Sequence, residues 1–315
     1  MTDLPVIGIR FALYADLMLI TGLAAFPFHA LAAGERRDPE LAALFAYPLC
    51  WLCATGLLVS ALGMLILTAN MQGVDMFAVD LPMLLTMIGE TDVGTAWSVR
   101  MIALFVAAGA AWHARRSPFP AAAIVTIAGA TALASLAWSG HAGATEGLPG
   151  TLHRASDALH MIAAAIWLGA ILAFLLLLRS LRGAEPDPAR TARTARSLDS
   201  FAATGTMCVL ALTATGLINA ELTLGIRNAG TSLATPYGQL FVAKLLLFGT
   251  MLALAAANRW RLTPALRASS TSGDARIAVR TMRRSLVMEA LAGAAILALV
   301  AWLGMLAPLP TAATT

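Results

Sequence analysis

The chain has 315 residues, of which 59% are hydrophobic and only 12% are charged. This composition excludes a soluble globular protein, and apolar runs that recur along the whole length indicate a polytopic membrane protein. The net charge of +4 excludes little, because in a membrane protein the positions of the arginines matter more than their sum. Three cysteines in apolar surroundings are too few for a disulfide framework.

Eight apolar stretches are long enough to cross a bilayer as helices. Arginines cluster in alternate loops, which places those loops in the cytoplasm and both termini outside. We therefore expect an all-α, polytopic membrane bundle of eight transmembrane helices that forms a single integral-membrane domain over residues 1–315. The predicted spans are 6–33, 42–69, 95–113, 120–138, 153–179, 198–222, 237–258 and 285–306.

The first two spans carry an acid and two thiols. Asp16 lies about halfway along the first span, where a charge is costly unless it is paired or hydrated, so we expect it to face the bundle interior. A structural pair with a cation on a neighbouring helix is the more ordinary explanation for it. Cys50 and Cys53 lie on one face of the second span; thiolates bind Cu(I) and Zn²⁺, but core packing is the commoner role of such a pair.

The loop after the second span is rich in methionine and has no basic residue. Thioether sulfur is a soft ligand that suits Cu(I), and an acidic surface attracts cations. Gap filling in the core is the alternative explanation, since the chain has 14 methionines. Residues 80–89 are expected to lie along the membrane interface as a short amphipathic segment. The candidate soft ligands are Met71, Met76, Met83 and Met87.

Polar residues crowd the outer end of the fifth span, in the stretch WSGHAGATEGLPGTLHRASDALHMIAAAIWLG at residues 138–169. Residues 139–150 are predicted to form a Gly-rich turn that carries His141. On a helix that turns about 100° per residue, His153, Asp157 and His160 share one face. Imidazole is the commonest metal-binding side chain, and a carboxylate one turn away can bind the metal or orient a ring.

Helix geometry limits how these four candidate metal ligands could act together. His153 and His160 are separated by about 10 Å of helix rise, so a shared ion would strain both. We expect either one ion held by part of the stripe plus ligands from elsewhere, or two ion positions at different depths.

The later spans carry three further polar candidates. Lys244, the only lysine of the chain, lies about 10 Å below the start of the seventh span. At this depth a lysine has to find a carboxylate, lose its proton or extend outward, and Asp16 and Asp157 are the candidate partners. Asn219, at the outer end of the sixth span, is a candidate neighbour of the stripe. Glu289 lies toward the inner half of the eighth span. The four charged residues within the spans are therefore candidates for successive depths of one polar path: Asp157, Lys244, Asp16 and Glu289.

Six segments, found at family length and in a fixed order, carry a resemblance to a known family. They are GTAWSVR at 94–100, SGHAG at 139–143, LHRASDALHMIAAAIWLGA at 152–170, YGQLFVAKLLL at 237–247, NRW at 258–260 and VMEALAG at 287–293. The set resembles the CopD family of copper resistance inner-membrane proteins over essentially the full chain. The resemblance implies a protein of the bacterial inner membrane that handles copper, often with a small periplasmic copper-binding partner of the CopC type.

The resemblance also assigns roles to residues. By position, the family's histidines correspond to His141, His153 and His160. Its intramembrane polar positions correspond to Asp157, Lys244 and Glu289.

Copper binding at the outer mouth, followed by movement toward the cytoplasm, is the leading functional hypothesis. Imidazoles hold Cu(II) or Cu(I), whereas a contribution from methionine favours Cu(I). The sequence contains no GxxxxGKS-type phosphate loop, so movement is expected to be facilitated or ion-coupled. We expect the lipid bilayer and the CopC-like protein as partners, no nucleic acid, and no enzymatic reaction.

Two other functions compete with this hypothesis. An electron-transfer protein that holds haem between helices needs axial histidines at matching depth on facing helices, and His160 has no evident deep histidine opposite. A structural or assembly subunit would use the polar residues only to bind helices together.

Overall fold

The computed structural model describes residues 4–138, 147–181, 187–225, 235–272 and 275–306, and over these ranges the chain is helical with no strand. Within these described ranges, eight helices are long and apolar enough to cross a membrane, which confirms the predicted all-α bundle of eight spans. The helices are α1 (Leu4–Ala30), α2 (Pro39–Gln72), α3 (Leu81–Glu90), α4 (Asp92–His113), α5 (Pro118–Ala134), α6 (Gly147–Arg179), α7 (Pro188–Leu224), α8 (Pro236–Ala257), α9 (Thr263–Ser272) and α10 (Ala275–Leu303).

Three helices begin well before the spans predicted from their apolar cores. They start at Gly147, Pro188 and Ala275, so the end of the predicted Gly-rich turn is already helical. Pro149 is tolerated there because the first turn of a helix has no partner for its backbone N–H groups. The helix α7 is capped by the Asp187 carboxylate, which accepts a hydrogen bond from the backbone N–H of Ala189 at 2.9 Å. Apolar length therefore finds the part of each helix inside the bilayer and misses the polar ends.

Helix α8 does not end where the predicted seventh span ends. It continues through a π-helical turn at Asn258–Leu262 into α9, so helical structure extends well past the predicted span. The π turn carries the NRW motif and brings Asn258 into the buried core. Turns of this kind are rare and often occur at functional sites.

The centre of the bundle is α1, which packs against α2, α5, α6, α7 and α10. Its closest neighbour is α6, and the two backbones meet where Gly22 faces Ala165 and Gly169. A β-carbon on Gly22 would overlap the Ala165 backbone, and one on Gly169 would overlap Gly22. Small residues let membrane helices approach this closely and gain contacts that lipid cannot replace.

The start of α1 and the end of α10 lie at the same end of the bundle. The Arg10 guanidinium donates a hydrogen bond to the backbone carbonyl of Gly304 at 3.0 Å. We call this the outer end, following the arginine distribution, and its orientation in the cell stays a prediction. At the opposite, inner end, Arg193 and Arg196 of α7 form ion pairs with Glu35 at 3.3 and 3.2 Å.

Helix α8 is less firmly packed than the others. Its backbone lies close to α10 and to the π turn that follows it, whereas it reaches α6 mainly through side chains. A gap therefore remains between α8 and the pair α6 and α7. The predicted interfacial segment forms the short helix α3, which lies beside α4 and α2 and exposes Leu81 and Leu85.

The contact between α1 and α6 predicts a sharp difference between two glycines. Gly22→Ala should destabilise the protein by about 2 kcal/mol or more, because the added methyl group forces the two backbones apart. Gly109→Ala is the matched control, since nothing lies within 4 Å of its β-carbon position in α4. Thermal unfolding in detergent measures both, and equal midpoints for the two variants would contradict this account of the packing.

Candidate functional site

A cavity of about 550 Å³ fills the gap between α6, α7, α8 and α10. Its walls are almost wholly apolar, with aromatic side chains from Trp167, Phe241 and Phe248. His160 and Lys244 are its titratable wall residues. We call it the outer cavity, because it extends from the outer ends of α7 and α8 to Trp167.

The His160 ring is held in one tautomer by a threonine on α7. The Thr215 hydroxyl donates to the backbone carbonyl of Ala211 at 2.6 Å, so its oxygen is free to accept from the His160 Nδ1 at 2.9 Å. This network assigns the proton to Nδ1 and leaves the lone pair on Nε2. An imidazole oriented this way is prepared to bind a metal through Nε2.

Asp157 lies one turn outward from His160 and interacts with two neighbours. The Asn219 side-chain amide on α7 donates to its carboxylate at 3.5 Å. The Lys244 ammonium on α8 attracts the carboxylate across the gap without a direct salt bridge, and it also repels positive charge on His160. Of the two acids considered as partners for Lys244, Asp157 is the one whose charge interacts with it. In this arrangement the lysine supplies the cation next to the carboxylate.

The remaining histidines of the stripe lie nearer the outer end. His153 is two turns away from His160 and is buried, with 5% of its surface exposed. His141 lies outside the described residues. Among the residues that are described, no three His, Cys, Asp or Glu side chains converge closely enough to hold a metal. The metal-ligand set His141, His153, Asp157 and His160 therefore stays a prediction.

A second cavity of about 200 Å³, which we call the inner cavity, lies below the first. Its walls come from α6, α7, α8, the π turn and α10, and they include Glu289, Asn258 and Arg259. Glu289 is almost fully buried, with 2% exposed, and its carboxylate accepts hydrogen bonds from the Asn258 amide and from the Trp167 indole. Trp167 is in the walls of both cavities and packs edge-on against Phe248, so this aromatic pair separates them.

Asp16 lies away from both cavities. Its carboxylate accepts a hydrogen bond from the Thr55 hydroxyl at 2.6 Å, and it packs against the backbone of α2 at Gly56. Its other carboxylate oxygen has no hydrogen-bond partner. Lys244 lies in the wall of the outer cavity and Glu289 in the wall of the inner cavity, whereas Asp16 belongs to the contact between α1 and α2. The polar path through Asp157, Lys244 and Glu289 stays a prediction.

Comparison with known proteins identifies the family. Residues 1–151 match the family model described as "Copper resistance protein D-like, N-terminal domain", and residues 195–303 match "Copper resistance protein D". The chain is 36% identical over 313 residues to "Copper resistance protein D" of Pseudomonas syringae pv. tomato, covering 98% of each chain. The chain belongs to the copper resistance protein D family.

A second relative agrees with this assignment. "Inner membrane protein YebZ" of Escherichia coli (strain K12) is 28% identical over 261 residues, which cover 83% of this chain and 85% of that one. No solved structure matches the chain. Together with the eight apolar helices, these relatives establish a multi-pass inner-membrane protein of the copper resistance protein D family, and they support a role in copper homeostasis.

The sulfur-bearing candidates of this family member do not share one environment. Met71 and Met83 are exposed, Met76 is half-buried and Met87 is the buried residue of α3, so no single face presents all four. Cys50 and Cys53 are free thiols of α2, and Cys53 is fully buried near Asp16.

Sequence reasoning missed several residues that shape the site. Thr215 lies one turn from Asn219, and this spacing on α7 was the available signal. Trp167 and Asn258 occur in the family motifs, but nothing in the sequence showed that both bond to one carboxylate. Tyr14 of α1 was also missed; it forms a hydrogen bond with Arg10 and interacts electrostatically with Asp157.

The attraction between Asp157 and Lys244 predicts a measurable coupling. Asp157→Asn and Lys244→Met should each destabilise the protein, while the double variant should lose less than the sum, because neither partner is then left with an uncompensated charge. The coupling should be about 0.5–3 kcal/mol. A double-mutant cycle of unfolding in detergent measures it. Asp16→Asn combined with Lys244→Met is the control cycle and should show additive losses; equal coupling in both cycles would contradict the assignment.

Proposed function

We propose that this protein binds copper at its outer end and moves it toward the cytoplasm through the C-terminal helices. The observation that carries the proposal is the pair of cavities along α6, α7, α8 and α10, which share the side chain of Trp167. Each cavity has polar or charged residues in an otherwise apolar wall. Charged residues inside a membrane are costly, and they commonly mark the route of an ion.

Copper capture would use the His160 Nε2 atom and the Asp157 carboxylate. Nitrogen and oxygen donors of this kind suit Cu(II), and imidazole also binds Cu(I). His153, two turns outward, and His141 would supply an earlier position. The burial of His153 agrees better with two copper positions at different depths than with one copper ion shared by His153 and His160.

The charged form of Lys244 and a copper ion bound at Asp157 would exclude each other. A copper ion and an ammonium group near one carboxylate repel each other strongly in a medium of low dielectric constant. Copper binding at Asp157 therefore requires Lys244 to lose its proton or to swing away. Return of the lysine charge would then expel the ion, so this exchange provides release without a nucleotide.

Passage toward the inner cavity would require the Trp167 side chain to move. Its indole N–H bonds to Glu289, and its ring lies against Phe248. A cation that reaches Glu289 would compete with the indole N–H for the carboxylate. Rotation of Trp167 would then join the two cavities while Glu289 receives the ion.

Copper supply is proposed to come from a separate periplasmic copper-binding protein of the CopC type. Met71 and Met83 are exposed on the outer face, 63% and 40% accessible, and they offer thioether ligands for transfer of Cu(I). No catalytic step is part of this proposal.

Removal of the His160 ring should abolish copper retention at the outer cavity. The variant His160→Ala is expected to bind at least one fewer copper ion per chain than the unmodified protein, measured by elemental analysis after desalting. His113→Ala is the matched control, since His113 is an exposed imidazole at the inner end of α4. Unchanged stoichiometry and unchanged uptake in a folded His160→Ala protein would favour a purely structural subunit.

Glu289 should matter for transport more than for capture. Glu289→Gln keeps a hydrogen-bond acceptor for Trp167 and Asn258 but removes the charge, so copper binding should persist while uptake into proteoliposomes falls by about tenfold or more. Glu40→Gln, at the exposed inner end of α2, is the control and should transport normally. Full uptake by Glu289→Gln would remove the inner cavity from the route.

A further inference from the structure

A third cavity, of about 140 Å³, lies at the outer end on the opposite side of α1. Its walls come mainly from α1, α2 and α4, and none of its wall residues lines either cavity of the proposed copper route. Its polar side chains are those of Arg10, Tyr14, Asn70, Trp97 and Arg100. The rest of the wall is apolar. We call it the arginine pocket.

Arg100 is a buried cation with little support from the protein. It is 6% exposed, and among the described residues its guanidinium donates a long hydrogen bond of 3.4 Å to the Ser135 hydroxyl while its Nε atom has no hydrogen-bond partner. Arg10 donates to the Gly304 carbonyl and to Tyr14. In the part of the chain that the structure describes, neither guanidinium has a carboxylate within 4.0 Å.

The acids within α1 and α6 are engaged elsewhere. Asp16 accepts from Thr55, and Asp157 interacts with Asn219 and Lys244. Removing a charge from water without pairing it costs several kcal/mol. Two guanidinium groups around one small pocket therefore call for an anion that is not among these side chains.

We propose that Arg10 and Arg100 bind a phosphate group in this pocket. The planar guanidinium fork matches two oxygens of a phosphate, and hydrogen bonds between charged partners are the strong ones. The Tyr14 hydroxyl and the Asn70 amide line the same pocket and can complete the set of donors. The cavity has room for several water-sized groups, which is enough for one small oxyanion.

The surroundings of the pocket favour the phosphate of a membrane lipid as the source. Trp97 lies in its wall, and tryptophan is enriched at the level of lipid headgroups. The apolar wall formed by Val6, Ile9, Leu67 and Val93 offers a surface for acyl chains. Because Arg10 also holds the Gly304 carbonyl, the bound phosphate would tie α1, α4 and the end of α10 together at the outer end.

The test compares three probes on the full-length protein after lipid removal in detergent. They are phosphatidylglycerol, a diacylglycerol with the same acyl chains, and inorganic phosphate, each followed by native mass spectrometry and thermal unfolding. Phosphatidylglycerol should bind and raise the unfolding midpoint, and diacylglycerol should do neither. Stabilisation by inorganic phosphate at similar concentration would assign the site to a free anion instead of a lipid headgroup.

Arginine variants test whether phosphatidylglycerol binds in the arginine pocket. Arg10→Gln and Arg100→Gln should each bind phosphatidylglycerol about tenfold more weakly. Arg154→Gln is the matched control, since Arg154 is another arginine at the outer end but stacks over Trp138 at 6.0 Å and lies outside the pocket. The control should bind as the unmodified protein does.

The stability of the lipid-free protein distinguishes a lipid-binding role of Arg100 from a purely structural role. Without lipid, Arg100→Gln should unfold at the same temperature as the unmodified protein or higher, because it removes an unpaired buried charge. A lower midpoint combined with undiminished lipid binding would overturn the proposal. So would binding of diacylglycerol as tight as that of phosphatidylglycerol.

Discussion

The rest of the structure depends on the contact between the backbones of α1 and α6. Ala165 and Gly169 lie on the face of α6 that meets Gly22. At about 100° per residue, His160 and Trp167 fall on the opposite side of the same helix. Close packing of one face against the central helix therefore turns the other face toward α7 and α8, where it forms a wall of the outer cavity.

The contrast between the two faces of α6 explains why polar groups can persist in the C-terminal half. On the α1 side, small residues leave no space for water, an ion or a larger side chain. On the α8 side, side chains bridge a gap that the backbones leave open, and this gap accommodates Lys244 near Asp157. The tightly packed interface between α6 and α1 thus fixes the position of the loosely packed one between α6 and α8. Side chains at the loosely packed interface are able to change their contacts.

Much of the fold could be predicted, because apolar length and the positions of arginines reflect the bilayer directly. The grouping of Asp157 with Asn219 and Lys244 also followed from depth, since each lies about one to three turns from the outer end of its helix. Depth gives no information on the rotation of one helix against another. Asp16 has a suitable depth for the polar path, yet the rotation of α1 turns it toward Thr55 on α2.

Contacts between distant segments were also beyond sequence reasoning. The roles of Thr215, Trp167 and Asn258 depend on side-chain directions that a helical pattern does not specify. The π turn is a local departure from α-helical hydrogen bonding, which apolar periodicity cannot reveal. Glu289 was recognised as unusual because it is a charge in an apolar helix, but its two hydrogen-bond partners come from α6 and from the π turn.

The position of α8 has a consequence for biosynthesis. Its closest backbone neighbour, α10, follows it in the chain and leaves the ribosome later. During translation, α8 enters the bilayer before this neighbour exists, and its one lysine can then be compensated only by helices already inserted. Asp157 on α6 is already in place at that stage. The same carboxylate that interacts with Lys244 in the finished protein can thus help to retain α8 in the membrane until the last helix arrives.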